Sequence, residues 1–177
     1  CSSDLALTAF AAAFFLGNLI LVAALAVSLA VFLASLASPD RTRYYLAMTI
    51  GLLTLFAPLI PVVLAYPLGA ILGEEHVVAM MFHDWFRIIA DEPFRLLTGH
   101  GFDTISRAAE AGLIPPNAPH GLLIDTWFEL GMIGAVSLAA FLVALIMLSS
   151  TMTRPSAAAA QAVMSGLVVI GAFAGNE

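Results

Sequence analysis

Apolar and polar positions alternate along this chain in blocks, not residue by residue. Four long apolar runs, roughly 5–36, 44–72, 122–148 and 157–174, are interrupted by two short polar joints and one long polar segment, 74–119. A helix needs about 20 apolar residues to cross a hydrocarbon core of about 30 Å, so each run predicts a membrane helix, the Ala-rich fourth being the shortest. In the second run Pro58, Pro61 and Pro67 remove backbone donors and predict a kink or a break. The expected architecture is all-α and integral to a membrane, a polytopic helical bundle with about four transmembrane helices. It divides into a helix pair over 1–73, a polar loop over 74–119 and a second helix pair over 120–177.

Composition agrees with that pattern. The chain is 62% hydrophobic and 10% charged, with a mean hydropathy of +1.03, too few charges to cover the surface of a soluble domain. With no lysine and six arginines there is no basic patch for a nucleic acid, so none is expected as a partner. A single cysteine, Cys1, forms no internal disulfide. The absence of an initial Met and the end at Gly175-Asn176-Glu177, directly after an apolar run, suggest a piece of a larger polytopic protein. Arginine in the short joints, Asp40-Arg41-Thr42-Arg43 and Thr153-Arg154-Pro155, puts those joints on the cytoplasmic side and the long loop outside.

The chemistry is concentrated in the long loop and the helix start behind it. Between Glu74 and His120 lie all four histidines and half of the arginines. Within it, 77–90 reads as an amphipathic helix. Asp84, Arg87 and Asp91 share one side, and Trp85 and Phe86 suit an interfacial placement. Gly99-His100-Gly101 follows, where two glycines permit a tight turn or close approach to a ligand. Pro119 fits the first turn of the third apolar helix. His120 beside it sits where the helix dipole favours the neutral ring over the cation, the state a general base needs. Gly131 and Ala135 form a small-xxx-small pair that admits a neighbouring helix. The histidines show no metal-ligand spacing and no His-Glu-x-x-His, so neither a metal nor another cofactor is expected.

The order of Trp85, Pro93, Gly99, Gly101, His120, Leu123, Glu129, Leu130, Gly131 and Gly134 resembles the O-antigen ligase superfamily. That group comprises O-antigen ligases, O-antigen polymerases and protein O-oligosaccharyltransferases of bacterial inner membranes. Two positions depart from its pattern. Gly121 stands where the family places an Asn after the histidine, and Met81 where many members carry an Arg. The resemblance implies an inverting, metal-independent transfer of a glycan from undecaprenyl pyrophosphate to a hydroxyl of lipid A-core, another glycan or a protein. It also implies a multi-pass place in the bacterial inner membrane, with the long loop periplasmic. His120 would then be the base that deprotonates the acceptor, and arginines, here Arg95 and Arg87, would hold the pyrophosphate, with Gly99 and Gly101 beside them.

Each residue also has a plainer reading. His120 suits the hydrated end of a membrane helix, and Arg87 can pair with Asp84 or Asp91 as an ordinary helix-surface group. Two functions of other kinds stay open: a transporter of polyprenyl lipid or solute whose proline-broken helix lines a path, and a purely structural scaffold.

Overall fold

The computed structural model describes residues 19–73, 75–102, 104–110 and 121–173. Within them the regular elements are helical, and no strand occurs among the described residues. They are α1 (Leu19–Ala37), α2 (Pro39–Phe56), α3 (Leu59–Leu72), α4 (Val77–Asp91), α5 (Arg95–Thr98), α6 (Thr104–Glu110), α7 (Leu122–Leu148) and α8 (Arg154–Phe173), with a 3-10 turn at Ser149–Thr151. By length and composition two stretches are able to cross a membrane, Leu122–Thr151 and Arg154–Ala172, and the bent pair α2–α3 makes a third if counted as one span. Of the first apolar run, Leu21–Ala37 is a shorter apolar helix. The rest of that run lies outside the described residues.

The contacts divide the chain into two compact units, one containing the chain up to Ile50 with Leu142–Gly171, the other Gly51–Phe141 and the chain from Ala172. In the first unit small residues bring helices into close contact. Ala157, Ala158 and Ala162 of α8 are buried, and Gly166 leaves no room for a Cβ beside the hydroxyl of Ser28 on α1. Polar groups buried here are joined to one another. Ser35 Oγ donates to Gln161 Oε1 (2.9 Å), Gln161 Nε2 donates to Ser149 Oγ (3.0 Å), and Ser149 Oγ donates to the carbonyl of Ile146 (2.7 Å). All three side chains are buried. A buried hydroxyl or amide with no partner is costly, and this chain of bonds removes that cost. The arginine-bearing joint predicted at residues 40–43 is helical: only Ser38 separates α1 from α2.

In the second unit prolines and glycines set the path. α2 ends at Phe56, and the axes of Pro39–Phe56 and Leu59–Ile71 meet at 81°, the break that Pro58 predicts. Pro61 falls in the first turn of α3, where an N–H would have no intrahelical acceptor anyway. Pro67 lies inside α3 without ending it, so of the three prolines only Pro58 marks a break.

The amphipathic helix is present as α4, one residue longer than the predicted 77–90. Its Trp85 faces inward, in place of the interfacial position expected of it. The ring is 4% exposed in a cluster with Ile105, Ala108 and Phe128 and meets Phe128 edge-on at 5.9 Å. Phe86 packs against Tyr66 of α3, centroids 5.5 Å apart.

Candidate functional site

The site is built on two interruptions of helical hydrogen bonding. The first is Pro58. An N–H at position 58 would donate to the carbonyl of Thr54, four residues earlier, and proline has none. That carbonyl accepts instead from the indole Nε1–H of Trp127, at 2.7 Å. Thr54 is fully buried, so a donor arriving from 73 residues away meets the need that the proline creates.

The second interruption is Gly131, whose φ of +61° and ψ of −152° break α7 internally. A regular helix would give the carbonyls of Phe128 and Glu129 to the amides of residues 132 and 133. Here His100 N–H donates to Phe128 O and Gly101 N–H to Glu129 O, each at 2.9 Å. The two segments touch backbone to backbone. A Cβ on Gly131 would lie 2.7 Å from Leu97 O, and one on Gly99 would lie 2.7 Å from Gly131 N. Gly99 and Gly101 have φ of +70° and +99°, a region that side-chain-bearing residues disfavour. The small-xxx-small reading of Gly131 thus gives way to a different contact: the chain admitted here is the Leu97–Gly99 turn. Thr104, at the start of α6, ties the turn from its other side. Its Oγ1 donates to the carbonyls of His100 (3.1 Å) and Gly101 (2.6 Å).

His100 is therefore held rigidly. Its ring stacks on Phe128, centroids 4.0 Å apart and planes within 7°, and its Nδ1 lies 2.9 Å from Phe128 O. A carbonyl only accepts, so Nδ1 carries the hydrogen. Nε2 points the other way, 3.4 Å from Glu92 Oε2. The same carboxylate oxygen takes Arg95 Nε at 3.3 Å, so Glu92 faces both a guanidinium and an imidazole. These three side chains line one narrow crevice with Trp85, Ile124, Trp127 and Phe128, and with Pro58 and Pro61 at the helix break.

The residues singled out from sequence fall in different places. Arg95 lines the crevice. Arg87 does not: it is exposed and 4.0 Å from Asp91 at the next turn. The amide of Gly99 donates to Arg95 O and that of Gly101 to Glu129 O, so both glycines serve the turn that carries His100. His120 lies outside the described residues. Past it, Gly121 precedes α7, its amide donating to Asp125 Oδ1 at 3.2 Å. The side chains not anticipated are His100, Glu92 and Trp127. Only the glycines flanking His100 drew attention to its turn, because Phe128, on which the ring stacks, lies 28 residues further along the chain. No group of His, Cys, Asp and Glu suited to a metal ion occurs among the described residues.

A second crevice separates α3 from α4, lined by Tyr66, His83 and Asp84 among small residues. Comparison with models of known families, with curated proteins and with solved structures finds no match to this chain.

Proposed function

We propose that this chain belongs to a membrane glycosyltransferase that moves a glycan from an undecaprenyl-pyrophosphate donor to an acceptor hydroxyl, in the manner of an O-antigen ligase. The observation that carries the reading is the crevice itself, where Arg95, Glu92 and His100 meet two indoles in a chain that is 10% charged. Each part suits a component of the reaction. A guanidinium fork suits the pyrophosphate leaving group. Indole faces suit a sugar ring, with one apolar face and a hydroxylated edge. A neutral imidazole within reach of the acceptor removes its proton, a contribution of typically 10²–10⁴-fold. His120 is the residue proposed for that last role. The reaction needs no metal, the active segment faces the periplasm, and the protein resides in the bacterial inner membrane. Lipid A-core, another glycan or a protein is the acceptor, the second of these making the enzyme a polymerase.

The test is transfer of labelled glycan from undecaprenyl pyrophosphate by membranes containing the full protein. His120→Ala and Arg95→Gln, each present at wild-type level, are expected to lower the rate by at least tenfold. Wild-type rates in both variants would refute the reading.

One observation favours a second reading. Pro58 and Pro61, at an 81° break between apolar helices, line the same crevice, as they would in a transporter whose broken helix borders a path for a polyprenyl lipid. That protein would carry lipid-linked glycan across vesicle membranes without making a glycosidic bond.

A further inference from the structure

The first unit contains a crevice of its own, formed where α1 turns into α2 and where the 3-10 turn leads into α8. Its polar lining includes Asp40, Arg43, Ser149, Ser150, Arg154 and Gln161. Arg43 is largely withdrawn from solvent, its side chain 13% exposed, and Nη2 lies 3.1 Å from Asp40 Oδ1. The guanidinium stands 5.3 Å from the centre of the Tyr44 ring. Its Nε–H is buried and finds no acceptor among the described residues. A buried donor on a charged group, left without an acceptor, is among the costlier arrangements in a fold.

Position adds to this. Arg154 is the first residue of a 20-residue helix, and Arg43 lies in the second turn of an 18-residue one. Helix N-termini carry partial positive charge and favour anions, so cations gathered there are unfavourable unless a negative group joins them. Asp40 is the one carboxylate in a lining that holds two guanidiniums. Pro39 and Pro155 each occupy a first-turn position, where the missing N–H costs nothing.

We propose that this crevice binds a phosphate group, with the guanidiniums of Arg43 and Arg154 and the serine hydroxyls beside them donating to its oxygens. Phosphate offers several acceptor oxygens to forked donors, and the crevice lies where two apolar helices begin. An anionic phospholipid headgroup and free phosphate share this chemistry.

The experiment uses the full protein in a nonionic detergent, with bound species counted by native mass spectrometry. The probes are phosphatidylglycerol, diacylglycerol of the same acyl chains, and inorganic phosphate. Phosphatidylglycerol is expected to stay bound where diacylglycerol does not. Arg43→Gln and Arg154→Gln should each weaken it at least tenfold, Arg41→Gln, which does not line the crevice, should leave it unchanged, and Asp40→Asn should strengthen it. Displacement of the lipid by millimolar inorganic phosphate would support the site with the free anion as its ligand. Circular dichroism checks the fold of each variant. If Arg43→Gln fails to fold, the exposed Arg154 decides the matter. Equal retention of diacylglycerol, or wild-type binding by a folded Arg154→Gln, would overturn the proposal.

Discussion

The imidazole of His100 lies flat on the ring of Phe128, 4.0 Å away, while its Nδ1–H is held by the carbonyl of that same residue. One residue thus fixes the plane of the histidine and takes its Nδ1–H, and Nε2 is the nitrogen left facing Glu92. Phe128→Leu keeps most of the apolar volume and removes the stacking surface. We expect it to cost about 1 kcal/mol in stability. The upfield shift that Phe128 imposes on the His100 ring protons should vanish with it. NMR in detergent micelles reads this directly, and an unchanged shift would mean the rings are not stacked.

Gly131→Ala should be strongly damaging, as should Gly99→Ala, since each puts a Cβ against the backbone of the other's segment. An L-residue at φ +61° is strained by about 1–2 kcal/mol, and the new Cβ would also press on Leu97 O at 2.7 Å. A loss of about 3 kcal/mol or more is expected. It should come with faster hydrogen exchange at the His100 and Gly101 amides, which lose their acceptors when the turn is pushed away. Gly134→Ala is no mild control either, since its Cβ would fall against Leu130 Cβ, an atom that the backbone fixes.

Trp127 and Pro58 should be energetically coupled although they need not touch. Trp127→Phe removes the donor to Thr54 O, at a cost of about 1–3 kcal/mol for a buried carbonyl. With Pro58→Ala in place, the alanine N–H is available to that carbonyl, and the same tryptophan change should cost about 1 kcal/mol less. A double-mutant cycle in denaturant measures the difference. Strict additivity would show that the indole is not standing in for the proline's missing N–H.

In the first unit Gln161→Leu preserves volume but takes the acceptor from Ser35 and a donor from Ser149. We expect a loss of about 1–2 kcal/mol. Adding Ser35→Ala should recover most of it, because both ends of the bond are then apolar. Thermal unfolding of the two variants in one detergent tests the pair, and no recovery would place the cost in packing.

The two arginines proposed from sequence for the pyrophosphate should behave differently. Arg87 is exposed and 4.0 Å from Asp91, a surface pair worth roughly 0–1 kcal/mol, so Arg87→Gln should leave both stability and glycan transfer near wild type. Arg95→Gln should lower transfer while leaving stability within about 0.5 kcal/mol, since that side chain is half exposed at the mouth of the crevice. Equal loss from both substitutions would move the phosphate site away from this crevice.

How much of this was legible in the sequence differs from residue to residue. Pro58 announced the break it makes, because a missing donor acts locally. The helix at Val77–Asp91 was readable from its 3.6-residue period. That period shows which side of a helix is apolar but not what covers it, so Trp85 read as a membrane-surface residue when Phe128 and Ile105 bury it. Pro67 is the reverse case, a recognised breaker that the surrounding helix accommodates. Gly131 looked like a place for a neighbouring helix. Its positive φ depends on donors from His100 and Gly101, about thirty residues earlier, and no local pattern carries that information. For the same reason His100 had no visible partner, although Arg95, selected for its charge alone, does stand at the crevice.

The exchange of backbone bonds at Gly131 also bears on how the second unit assembles. An apolar stretch such as Leu122–Leu148 enters a lipid environment most readily as an unbroken helix, since bare carbonyls find no water there. The kink exposes the carbonyls of Phe128 and Glu129, and the Leu97–Gly101 turn supplies the donors that make the exposure tolerable. Opening the helix and seating the turn are therefore one cooperative event. The turn acts as a latch, and the crevice holds its shape only while that latch is closed.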